Sequence, residues 1–445
     1  MFTLSRCVIV LAILSAAVPL WAEDAEPTAV TPSPGQVADD PEGPLRLTPD
    51  QAGAIARDNA DRVESARAAN AADQARARAE IGVLFPQVRL DAGYTRYEGL
   101  DRPDFLASGA DFDDSEDEYA ATVRVDQLVW SFGRIQAALD ARRALGARGQ
   151  ADLALAQRDA AWRARRAAVG VQFAKALRWV ASERVGQRES ELADAQGRED
   201  VGDVAELDVR EARVELIEAR NGLIAAELAV TNAYHELATA LAIEDRELEV
   251  VGDLARPLEL APLIEAARLN IIAGPEIGAL RARAELSTAE RAALRGAALP
   301  EVGVFGQWRS SGDALDNQDD DWALGLSVSW SVWDGGTTWA RSEAAARERV
   351  RLIRLADETA RTRLQQFDDL AASLESLAPR ITALEESVAL SEQNYEDISA
   401  QYRIGLIDRV RLGQANLTVT EARLRLISLV RQEAEAAFDL MRLAE

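Results

Sequence analysis

The chain has 445 residues, 48% hydrophobic and 28% charged, with a formal charge of −25. That size and apolar content exclude a wholly disordered chain, and the acidic balance excludes a nucleic-acid clamp. A single lysine (Lys175, in Phe173-Ala174-Lys175-Ala176), a single histidine (His235) and a single cysteine (Cys7) exclude a Walker A phosphate loop and a His- or Cys-built zinc site. No spaced carboxylate pair stands out for acid–base chemistry, so we expect no enzyme, cofactor or metal site.

Residues 1–22 open with Arg6, continue through the apolar run Cys7–Leu20 and end at Trp21-Ala22 before Glu23-Asp24. This is the pattern of a cleavable secretory signal peptide. Residues 23–46, with Pro27, Pro32, Pro34, Pro41 and Pro44, read as a flexible leader. No later stretch reaches 18 apolar residues, so no membrane-spanning helix is expected.

Two similar halves follow. The first, residues 47–250, is expected to hold a helix, strands at 86–97 and 119–132, a long helix at 134–199 and a return helix at 204–242. The second, residues 251–445, repeats this with strands at 300–309 and 322–333, a long helix at 337–402 and a return helix at 406–443. Val129-Trp130-Ser131-Phe132-Gly133 and Val332-Trp333-Asp334-Gly335-Gly336 lie 203 positions apart. Val201-Gly202-Asp203 and Ile404-Gly405-Leu406 keep that offset, as do Ala212 and Ala415. Upstream, Leu84-Phe85-Pro86-Gln87-Val88 and Ala298-Leu299-Pro300-Glu301-Val302 are 214 apart, so one half carries a longer loop.

The strand tracts alternate with period two: Val88, Leu90, Ala92 and Tyr94 on one face; Trp322, Leu324, Leu326, Val328, Trp330 and Val332 on the other half's. Their length suits a tilted crossing of a bilayer, and Tyr94, Trp130, Trp308, Trp322, Trp330 and Trp333 fall where interfacial aromatics belong. The segments between strands, 98–118 and 310–321, are acidic and demand water. The helices carry heptads: from Ile353, residues Ala360, Phe367, Leu374, Ile381, Val388, Tyr395 and Tyr402 recur every seven, with Val350, Leu364 and Ala371 between. A tract of this length makes about 100 Å of helix. Pro379 should kink or break it.

Four strands cannot close a barrel, and an open edge in lipid leaves backbone groups unsatisfied. Three copies supply twelve strands, and two supply eight with little lumen.

The opening Leu47-Thr48-Pro49-Asp50-Gln51-Ala52 with Asn59, the two strand-to-helix junctions and the two glycine tips with their following alanines resemble the TolC-type outer membrane factor family. The resemblance spans essentially all of 47–445. It implies a mainly α protein with a small β part: a homotrimeric channel-tunnel whose twelve-stranded barrel sits in outer-membrane lipid and continues as a helical coiled-coil barrel in the periplasm. It implies a passive conduit for efflux or type I secretion, with a periplasmic adaptor and an inner-membrane pump as partners. The tips Val201, Gly202, Asp203, Ile404, Gly405 and Leu406 match its adaptor-contact motif; Tyr402 and Asp208 match its gate latch. Arg411 and Gln414 stand where family members often carry acids, which would turn a cation-selecting ring toward anions. The alternative reading is a secreted coiled-coil structural or adhesive protein, which leaves the duplicated aromatic strands unexplained.

Overall fold

The computed structural model describes residues 43–98, 115–202, 204–243, 246–252, 268, 270–314 and 317–444. The signal-peptide reading at 1–22 and the leader as far as residue 42 lie outside these. In chain order the elements are β1 (Leu45–Leu47), α1 (Pro49–Asn59), α2 (Asp61–Glu80), β2 (Gln87–Glu98), β3 (Ser115–Trp130), α3 (Arg134–Asp200), α4 (Glu206–Leu241), β4 (Leu248–Val250), α5 (Pro275–Ala297), β5 (Glu301–Ala314), β6 (Asn317–Ser329), α6 (Thr337–Arg403) and α7 (Arg409–Ala444). The fold is mainly α with a small β part, as the sequence suggests.

The duplication is regular at the level of elements. β4, α6 and α7 start and end 203 positions after β1, α3 and α4. β1 thus starts at Leu45, inside the range expected for the leader, and β4 starts at Leu248, inside the range expected for the first half. β1 pairs with β4, and Arg46 Nε donates to Glu249 Oε2 across 2.9 Å. Lys175 Nζ fastens this small sheet to α3 by donating to the Val250 carbonyl at 2.9 Å, with Tyr234 beneath it at 5.5 Å. The opening motif has a local cause: Thr48 Oγ1 accepts the Gln51 amide, Gln51 Oε1 accepts the Thr48 amide, and Pro49 is preset for the first helical position.

α3 and α6 each run 67 residues, about 100 Å at the helical rise. α3 is lined by buried alanines, including Ala160, Ala161, Ala164, Ala167 and Ala168, which let α1, α2, α4, α5 and α7 lie close to it. On α6 the heptad positions Phe367, Leu374, Ile381 and Tyr402 are buried and none of the others is exposed, whereas Val350 faces out. The helix passes Pro379 without a break. Pro379 and Glu375, whose carbonyl loses its donor, both face solvent, while Leu377 and Ile381 are clamped in a core with Leu429.

β2, β3, β5 and β6 form one antiparallel sheet in that order. Several strands differ from their expected ranges. β3 starts four residues early, inside the acidic stretch, because Tyr94 Oη donates to Asp117 (2.8 Å) and Arg309 reaches Glu118 (3.3 Å). β5 and β6 extend toward their shared turn, joined by a hydrogen bond from Ser310 Oγ to Gln318 Oε1 at 2.8 Å. β6 stops at Ser329, so Trp330, Val332 and Trp333 leave the sheet. There Asp334 accepts the amides of Gly336 (3.0 Å) and Thr338 (2.8 Å) and starts α6 instead.

Candidate functional site: the sheet faces and the hairpin tips

Cross-strand partners share a face, so the register assigns the sides of the sheet. One side carries Val88, Leu90, Ala92 and Tyr94 of β2, Tyr119, Ala121, Val123 and Val125 of β3, Val302, Val304 and Trp308 of β5, and Trp322, Leu324, Leu326 and Val328 of β6. None of these side chains is buried, and those on the outer strands β2 and β6 are exposed: Trp322 is 81% exposed and Leu326 is 76% exposed. The other side carries Arg89, Asp91, Arg124, Asp126, Gln307 and Ser327. Arg124 Nε grips both Asp126 oxygens (3.0 and 2.9 Å) and its guanidinium stacks on Phe305 at 4.7 Å.

Aromatics bracket the apolar band. Tyr94 pairs with Tyr119, ring centroids 4.9 Å apart, and Trp308 pairs with Trp322 at one end. Trp130, Phe132, Trp330 and Trp333 stand exposed at the other, with Trp130 edge-on to Phe132. Trp339, on the first turn of α6, joins this second group at 79% exposure. Sequence reasoning assigned it to the helix and missed it. The eight residue steps from Trp322 to Trp330 span about 26 Å of extended chain, the height of an outer-membrane apolar band. No described helix is long and apolar enough to cross a membrane. Among the described residues no cluster of His, Cys, Asp or Glu could hold a metal ion.

At the far end of the long helices, α3–α4 and α6–α7 turn at Gly202 (φ 80°) and Gly405 (φ 76°), a left-handed conformation that glycine adopts without a Cβ clash. Val201, Ile404 and Leu406 are all more than 70% exposed beside them. Asp203 lies outside the described residues. Tyr402 is buried with Ile398, Leu412 and Ala415. Arg198 of the first hairpin covers its ring at 4.9 Å and donates to its carbonyl at 3.4 Å. Asp208 accepts the Ala205 amide at 3.1 Å and so caps α4. Arg411 and Gln414 are exposed on α7, and the Arg411 amide donates to the Asp408 carboxylate.

Tyr402 and Asp208 make no direct hydrogen bond; other residues join the hairpins. Arg409 Nη1 donates to the Asp208 carbonyl at 2.6 Å and to Glu211 at 3.3 Å, while Nη2 lies 3.0 Å from Glu215. Farther in, buried Glu191 takes Arg188 Nη1 at 2.5 Å and Asn416 Nδ2 at 3.0 Å, and Tyr395 Oη stands at 3.5 Å. Arg188 also reaches Glu215 at 2.8 Å, closing the network. Burial first, then the Glu191 carboxylate, pushes the Tyr395 hydroxyl up to about 12. One sign in the sequence could have located this network: Glu206 and Asp208 in the first turn of α4 correspond to Arg409 and Arg411 in α7, a charge reversal at one offset.

A family model described as outer membrane efflux protein matches residues 54–242 and 268–444. The chain belongs to the outer membrane efflux protein family. No curated protein sequence matches it significantly. Among solved structures, this family member is similar to a membrane protein from Pseudomonas aeruginosa (19% identity, 89% of this chain and 93% of that one, TM-score 0.77). It is also similar to the CmeC outer membrane channel of Campylobacter jejuni (14%, 89% and 85%, TM-score 0.76). The MtrE outer membrane channel of Neisseria gonorrhoeae, solved in an open state, gives 16%, 89% and 88%, with a TM-score of 0.73. The channel-tunnel fold is thus shared at low identity, and the outer membrane efflux protein family is a family of conduits.

Proposed function

We propose that this outer membrane efflux protein is the passive outer-membrane conduit of a tripartite efflux or type I secretion assembly, working as a homotrimer. One observation carries the reading: a four-stranded sheet whose outer strands β2 and β6 have no partner among the described residues, with one face apolar and uncovered. In lipid such edges must be paired. Three copies make a twelve-stranded barrel, apolar side to lipid and the Arg124 side to the lumen. The long helices then continue the tube about 100 Å into the periplasm.

Energy comes from an inner-membrane pump through a periplasmic adaptor, which meets the exposed Val201, Gly202, Ile404, Gly405 and Leu406. Tyr402 under Arg198, with Arg409 on the Asp208 carbonyl, holds the hairpins together and keeps the tunnel shut. Arg411 and Gln414 face the lumen beside this gate, so their ring favours anions.

The test is the state of the full chain. Membranes are washed with carbonate, and the detergent-purified protein is sized by sedimentation. The reading expects a trimer retained in the outer-membrane fraction. A monomer released by carbonate refutes it and favours a secreted coiled-coil protein.

A further inference from the structure

Between the end of α1, the middle of α3 and the start of α5 lies a cavity of about 560 Å³, lined by Arg57, Gln157, Arg158, Asn270 and Gly274 among others. Arg158 is only 6% exposed, and its Nε has no hydrogen-bond partner among the described residues. The carboxylates around it are already shared. Asp159 meets Arg158 at 3.4 Å but also Arg442 at 3.1 Å, and Glu276 takes both Nε (2.9 Å) and Nη2 (2.5 Å) of Arg363.

Among the described residues, Arg158, Arg363 and Arg442 thus share the two carboxylates of Asp159 and Glu276, leaving positive charge in excess in this cluster inside a chain that is strongly acidic overall. A buried charge without a full counter-charge is costly. Burial first, then Arg363 and Arg442, lowers the pKa of the Arg158 guanidinium, while Asp159 and, more weakly, Glu276 oppose the change. α5 begins at Gly274 on the cavity wall with no side-chain cap, so the positive end of its dipole adds to the same field.

We propose that this cavity is an oxyanion site, in which the guanidinium of Arg158 binds a phosphate or carboxylate group as its missing counter-charge. The geometry favours an oxyanion over a halide because a guanidinium presents parallel N–H donors to paired oxygens. The site lies on helices well away from both the sheet and the tips, and it does not rest on the conduit reading.

The experiment titrates the detergent-purified full chain with inorganic phosphate and, separately, acetate, each balanced to constant ionic strength with sodium chloride. Saturable binding of at least one of them, weakened tenfold or more by Arg158→Gln and unchanged by Arg347→Gln on the exposed face of α6, supports the site. Which anion binds separates phosphate from carboxylate chemistry. Thermal unfolding gives a signed readout: without oxyanion Arg158→Gln should melt higher than the wild type, and saturating anion should close the gap. No saturable binding, or equal binding by Arg158→Gln, overturns the proposal. Should that variant fail to fold, wild-type crystals soaked in selenate decide: an anomalous peak within hydrogen-bond distance of Arg158 supports the site, and its absence overturns it.

Discussion

Replacing Arg409 by alanine tests whether inter-hairpin contacts hold the tunnel shut. The guanidinium side chain is 16% exposed and meets one carbonyl and two carboxylates of the opposite hairpin. The charge-assisted bond to the Asp208 carbonyl is worth about 1.5–3 kcal/mol. Glu211 and Glu215 are 59% and 39% exposed, so each ion pair is screened and adds about 0.2–1 kcal/mol. The loss is roughly 2–5 kcal/mol per protomer, and swinging a two-state equilibrium from 1:99 to 99:1 takes about 5.5 kcal/mol. One broken latch is therefore too little, whereas three in a trimer are enough. In planar bilayers the all-variant trimer should show a much larger open-state occupancy, and mixed trimers with one variant copy should resemble the wild type. Arg409→Lys should fall between. Wild-type conductance from a folded all-variant trimer would refute the reasoning.

Gly405→Val forces a β-branched residue into left-handed backbone, at about 1–2 kcal/mol, although a Cβ there would stand a comfortable 3.9 Å from Arg198 Nη2. Efflux complementation should drop with Val and survive with Asn, and full complementation by Val would show that the turn tolerates the change. Leu326→Arg places a charge on the lipid side of β6 at about 2–4 kcal/mol. The outer-membrane fraction should lose the protein, while Ser327→Arg on the opposite side should insert normally. Arg411→Asp should move the reversal potential toward cation selectivity, and an unmoved potential places Arg411 outside the lumen. Because the Tyr395 hydroxyl is raised from 10.0 to about 12, its contribution is complete below pH 10 and fades as pH climbs toward 12. With its partial exposure discounted, this is about 1–2 kcal/mol. Alkaline unfolding of Tyr395→Phe should lack that part of the slope.

The layout was legible because duplication writes itself twice: Gly133 and Gly336, then Gly202 and Gly405, all keep positive φ at one offset. Strand alternation was equally legible, since a lipid-facing side needs an unbroken apolar series such as Leu324, Leu326 and Val328. Strand ends were less so. The amides of Gly336 and Thr338 are claimed by Asp334, which redirects the chain before Trp330 through a contact that period-two reading ignores. Glu191 and Asn416 lie 225 positions apart and meet only after both hairpins have folded. Tyr395 looked like one more apolar heptad residue because its ring does fill that position, while only the hydroxyl joins the network. At Pro379 the break that the local rule allows does not occur, because that rule omits the neighbours holding both flanks of the helix.

Lys175, whose ammonium is tied to the Val250 carbonyl, has a practical consequence for biochemistry on this protein. Amine-directed reagents find one side-chain address along the whole polypeptide, and that address is already occupied. Capturing neighbours covalently therefore calls for carbodiimide activation of the abundant acids, with the nucleophile supplied by the other molecule.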